Sequence, residues 1–183
     1  MEQREPLKSL GTRKLNRLLE LARHFDCESQ RCRKARAYYA ACILQGAALE
    51  GMLLAMVDIH LEDVQRHLAA SPELKRLRND ITRWDLDSLV KIAIGLRWLP
   101  ARTGQRAVRK IGDWLAYVHE VRNLVHVGRH LREYPNLRVA SRHFSRSMEI
   151  VSAAVTHLSN MVISEIEADM DQTDRRRAKK VSP

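Results

Sequence analysis

Glycine and proline are scarce in this 183-residue chain, with seven and five of them respectively, and Phe, Trp and Tyr together make up only 5%. Folds built from many short strands need turn residues every 8–12 positions or so, and so few breakers leave no room for them. No strand pair, internal repeat or Gly-rich phosphate loop stands out. The three cysteines, Cys27, Cys32 and Cys42, are an odd count with no export signal before them, which argues against a disulfide framework. His24 with Cys27 and Cys32 matches no common zinc spacing, and the thiols read as helix-packing groups. The polar opening up to Lys8 leads into no signal-like apolar stretch, and no uninterrupted apolar run reaches the roughly 20 residues that cross a bilayer. A cytoplasmic protein without a membrane partner is the expectation.

Apolar residues supply 45% of the chain, enough for one core at this length. The expected architecture is all-α: a single-domain helical bundle of five to six helices over residues 1–172, followed by a disordered basic tail over 173–183. That tail carries Arg175, Arg176, Arg177, Lys179 and Lys180 and almost nothing apolar. The net charge of +10 favours polyanionic partners at long range.

The helices follow from periodicity. Leu15, Leu18, Leu19, Leu21 and Ala22 recur at three-to-four spacing and predict an amphipathic helix over 12–25, with a second run beginning after Asp26. The stretch from Tyr38 to Val57 is apolar nearly all round and belongs at the centre of a bundle. Its small residues Ala41, Gly46, Ala47, Ala48 and Gly51 allow close approach by a neighbour. Glu50, the one acid within it, requires a basic or hydrogen-bonding partner such as Arg122, or else reaches solvent at the helix edge. Ser71-Pro72 suits the cap and first turn of a new helix. Asp85 suits the cap of another, running from Leu86 to Leu99 and stopped by Pro100. Thr103-Gly104 introduces a long helix from about Gln105, Tyr134-Pro135-Asn136 is a turn, and a last helix runs over 137–170. Its stripe of Phe144, Met148, Val151, Val155, Leu158 and Val162 marks the core face.

Chemistry concentrates in one place. On the helix from Gln105 the apolar face of Val108, Ile111, Leu115 and Val118 continues at about 100° per residue into His119, Arg122, His126, Arg129 and His130. Arg122 and His126, four apart, are helical neighbours. A guanidinium binds phosphate through paired hydrogen bonds, and an imidazole titrates near neutral pH. Together they could position a scissile phosphodiester and move a proton without a metal. The plain alternative is a solvated charged face.

Arg122-Asn123 followed by His126, near the end of a long helix and before a turn and one last long helix, resembles the HEPN superfamily of small all-helical domains. The block from Gly46 to Leu54 resembles an early helix of that family, and the likeness spans about residues 38–158. The resemblance implies a homodimer whose subunits line a shared cleft that cuts RNA without a metal or other cofactor, in a toxin or antiphage effector, with a cognate antitoxin or other protein as a further partner. It implies that Arg122 holds the phosphate, Asn123 orients the group and His126 serves as general acid or base, with the RNA 2′-hydroxyl as nucleophile. His119, Arg129, His130 and Glu50 would surround that centre as binding residues. Three residues separate Arg122 from His126, a shorter gap than the family's usual one, and the gap to His130 is longer. On a regular helix one residue of offset turns a side chain by about 100°. A second expectation therefore stands beside catalysis: a catalytically inactive helical dimer that binds nucleic acid or protein through its basic face. A helix-turn-helix around Pro100–Gly104 is a third, for which the turn is long.

Overall fold

The computed structural model describes residues 6–74, 76–77, 79–99, 145 and 148–164. All regular structure among them is helical. Four α-helices, α1 (Thr12–Lys34), α2 (Tyr38–Ile59), α3 (Leu61–Ala70) and α4 (Leu86–Gly95), are accompanied by single 3-10 turns at Pro72–Leu74 and Ile81–Arg83. Residues 148–164 form a further helix, α5. The predicted helix from Gln105, the turn at Tyr134-Pro135-Asn136 and the basic tail lie outside the described residues.

The first helix is longer than periodicity implies. It runs unbroken through Asp26, where a new run was expected, because nothing between Phe25 and Lys34 forces an exit from helical geometry. It stops one residue before Arg36, which adopts a left-handed backbone with φ of 60°. The N–H of Ala37 then donates to Cys32 O at 2.8 Å and that of Arg36 to Arg33 O at 2.9 Å. These are the two backbone bonds that close a helix when its first non-helical residue is left-handed. Helix α4 ends the same way, at Gly95 rather than Leu99. Arg97 has φ of 61°, Trp98 N–H donates to Ala93 O at 2.8 Å, and Arg97 N–H donates to Ile94 O at 3.0 Å. Pro100 is therefore not what stops this helix.

Asp85 caps α4 as expected, its carboxylate accepting from Ser88 N–H at 2.8 Å. Ser71 does not cap a new helix. It terminates α3, and Pro72 opens only a three-residue turn, with Leu74 N–H donating to Ser71 O at 3.1 Å. Asp80 caps the second turn through Thr82 N–H at 3.1 Å.

Helix α2 is the central element, touching α1, α3, α4 and the Ile81–Arg83 turn. Leu49, Leu53 and Met56 are sealed from solvent beside Leu68 of α3, Leu86, Leu89 and Ile92 of α4, and Ile150 and Leu158 of α5. Each such side chain contributes about 1.5–3 kcal/mol when fully buried. By length and composition α2 could cross a membrane, so the expectation that nothing approaches that length needs this qualification. In the fold, 72% of its most apolar window is buried.

Helices α1 and α2 form an antiparallel hairpin. Buried Ser29 donates its hydroxyl to Ala41 O at 2.9 Å near the turn, and Gly51 sits against Ala22 further along. A methyl placed on Gly51 would lie 2.9 Å from Ala22 Cβ, well inside the 3.5–4.0 Å or so at which carbons rest. Of the small residues expected to admit a neighbour, Gly51 does so here. Ala22 is buried and Leu18 and Leu19 pack on the core, so α1 belongs to the domain. Before it, Leu7 is buried, its N–H donating to Gln65 Oε1 at 3.2 Å, and Leu10 N–H donates to Asp58 Oδ1 at 2.6 Å. This straps the chain across the end of α2 until Gly11, with φ of 74°, turns it into α1.

The α5 stripe matches expectation at Val151 and Leu158, which are buried, and at Val155 and Val162, which pack on the core. Ile150 and Ala154 are buried as well, widening the stripe into a face of ordinary globular width. Met148, at the start of α5, packs with Cys32, Tyr38, Ala41 and Cys42 in a small second cluster under the α1–α2 turn.

Candidate functional site

The residues expected to carry chemistry divide sharply. Arg122, Asn123 and His126, together with His119, Arg129 and His130, lie outside the described residues. Glu50 lies within them, half-buried on α2; its expected partner Arg122 does not. The described residues form a wall of helices around α2.

Among the described residues no group of three or more His, Cys, Asp or Glu side chains is arranged to hold a metal ion. The cysteines are all free thiols, Cys27 exposed, Cys32 half-buried and Cys42 buried. Cys32 and Cys42 belong to the small cluster with Met148, as helix-packing groups do. His24 stacks obliquely near Phe25 with ring centroids 6.1 Å apart. His60 packs against Trp98 at 5.3 Å.

Two features of this wall were not anticipated. The first is polar and internal. Gln45 on α2 is completely buried, and neither amide atom meets a hydrogen-bonding group among the described residues. An amide sealed in this way costs about 1–3 kcal/mol. Its position in an otherwise greasy run hid it from periodicity, which scores one amide as noise.

The second is electrostatic and external. Arg31, Arg33, Lys34 and Arg36 crowd the corner between α1 and α2, and all four are exposed. From Ser29 to Leu49 the chain contains no Asp or Glu at all. Arg31 pairs with Glu28 one turn back. Arg33 instead lines an open groove of about 270 Å³ with Ser145, Met148, Glu149 and Ser152, where Gln30 Nε2 also approaches Met148 Sδ at 3.6 Å. Cations in the last turn favour the helix through its dipole, which accounts for Arg33 and Lys34 but not for Arg36 beyond the helix end. Tyr39, three residues past Arg36, is half-exposed, and partial burial pushes its phenol above the ordinary value. The signal that could have found this corner is the long acid-free interval, which the overall charge obscures.

Other ion pairs among the described residues are short-range surface ones, such as Arg17 with Glu20 at 3.0 Å and Lys91 with Asp87 at 2.6 Å. Pairs this exposed contribute little to stability and mark no site. Comparison with protein-family models, with curated proteins and with solved structures finds no match to this chain.

Proposed function

We propose that the chain is a metal-independent endoribonuclease of HEPN type, acting as a dimer in the cytoplasm, as a toxin or antiphage effector. The observation that carries the reading is the sequence Arg122-Asn123-Leu124-Val125-His126. On a helix that spacing would put a guanidinium and an imidazole on one face, and all regular structure among the described residues is helical. The net charge of +10 suits a polyanionic substrate.

A general base removes the proton from a ribose 2′-hydroxyl, whose oxygen attacks the adjacent phosphorus. The 5′-oxygen of the next nucleotide leaves and takes a proton from a general acid. The products are a 2′,3′-cyclic phosphate and a free 5′-hydroxyl. His126 suits proton transfer because imidazole titrates near neutral pH. Arg122 suits the phosphorane, whose extra negative charge a guanidinium binds more strongly than it binds the starting diester. Asn123 orients the reacting group.

The test is incubation of purified protein with a mixed cellular RNA pool in excess chelator. Cleavage is expected with wild type and not with Arg122→Ala or His126→Ala, each shown by circular dichroism to be folded. Undiminished cleavage by both variants would overturn the reading. The short Arg122-to-His126 gap favours one other: a dimer that binds RNA or a partner protein without cutting. Salt-sensitive RNA binding by a folded wild type that leaves the RNA intact supports that second reading.

A further inference from the structure

We propose that the corner between α1 and α2 is a seat for the sugar–phosphate backbone of single-stranded RNA, formed by Arg33, Lys34 and Arg36 beside the groove that Ser145 and Ser152 line. The assignment rests on the ribonucleolytic reading for its choice of polyanion, and on the described geometry for its location.

Three observations converge there. The cations are concentrated and unopposed along the chain, with the paired Glu28 on one side and Glu50 on the other as the nearest acids in sequence. The groove beside Arg33 offers serine hydroxyls, and hydroxyls with guanidinium and ammonium groups are the donors that proteins direct at phosphate oxygens. Tyr39 is half-exposed three residues beyond Arg36, and single strands are held by cations tracking the backbone and aromatic rings stacking with bases. A membrane contact would set large apolar side chains among the cations. Among the described residues the exposed ones are Ile59, Ile94 and Ile163, none of them at this corner.

Glu149 also lines the groove and offsets Arg33 there, so attraction is strongest toward Lys34 and Arg36. Two opposite charge changes follow: removing the cations weakens binding, and Glu149→Gln strengthens it.

The experiment measures binding of a fluorescent single-stranded RNA to the full chain carrying His126→Ala, in chelator, across a salt series. Replacing Arg33, Lys34 and Arg36 with Gln should weaken binding about tenfold and flatten the slope of log affinity against log salt by about 2, because each phosphate neutralised on a single strand contributes about 0.7. Replacing Lys8, Arg13 and Lys14 with Gln removes the same charge at the far end of α1, where all three are exposed, and should cost much less. An unchanged slope in the folded corner variant overturns the proposal, and so does an equal loss in both variants, which would mean a diffuse field. Loss of binding to phosphatidylserine vesicles with RNA binding intact overturns it in favour of a membrane contact. These readouts are separate from cleavage: Arg122→Ala and His126→Ala both cutting like wild type would sink the ribonuclease assignment while leaving the corner's salt slope to be judged alone.

Discussion

Exchanging the residues where α1 and α2 come closest should separate helix propensity from packing. Gly51→Ala gains about 1 kcal/mol of propensity. Its new methyl would lie 2.9 Å from Ala22 Cβ and 3.5 Å from Ala22 Cα, and neither atom can rotate away. The helices must part by about half an ångström or more to restore ordinary contact, and overpacking of this kind costs about 1–3 kcal/mol. A net loss of about 1 kcal/mol is expected. Ala22→Gly alone loses a buried methyl and helix propensity, about 1.5–2 kcal/mol together. In the double variant the propensities cancel and the methyl merely changes sides, so stability should return to near wild type. The coupling is then about 2–3 kcal/mol, measurable as midpoint shifts in urea at constant slope. Additive single effects, or a Gly51→Ala protein more stable than wild type, would refute the close approach.

Other outcomes follow from single contacts. Asp85→Ala should cost about 1 kcal/mol in urea unfolding by removing the cap on Ser88 N–H, and Asp85→Asn much less. Arg97→Gly should stabilise by about 0.5–1 kcal/mol, since its left-handed backbone is unfavourable for a side-chain-bearing residue; a loss would show that the arginine makes compensating contacts. Asp80 is held below the ordinary carboxylate range by the Thr82 hydroxyl, then by Thr82 N–H and nearby Arg83. A depressed folded value favours the charged form, so its contribution is present above the unfolded pKa and lost as pH falls through the folded one. Asp80→Asn should therefore lower the thermal midpoint at neutral pH, and the gap to wild type should close in acid; a gap independent of pH would contradict this.

Where one local interaction decides the outcome, the sequence was readable. Asp85 before an apolar run is a cap in any context, and the buried run from Tyr38 has no stable home except inside a helical core. Competing endings were harder. Asp26 looked like a boundary because aspartate disfavours helix interiors, yet the real boundary at Arg36 carries no glycine to announce it. Pro100 looked like a stop, but α4 had already turned at Arg97 for the same reason. Pro72 fits the first turn of a helix, and whether a second turn follows depends on packing that no short window contains. As for the candidate site, Glu50's placement on a central helix was legible, while the acid-free corner was not, because it is defined by what a long interval lacks.

Helix α2 has apolar residues on nearly every side, so burial by itself gives it no preferred rotation about its own axis. Its orientation must be written in the few positions that differ from their surroundings. Gly51 admits a neighbour as close as Ala22, and the Asp58 carboxylate receives the strap at Leu10. These act like the teeth of a key, contributing little to total stability yet distinguishing one seating of the helix from a family of near-equal ones. Smoothing them to leucine would leave a chain that still collapses and still forms helices, with several rotational registers of its central rod in exchange.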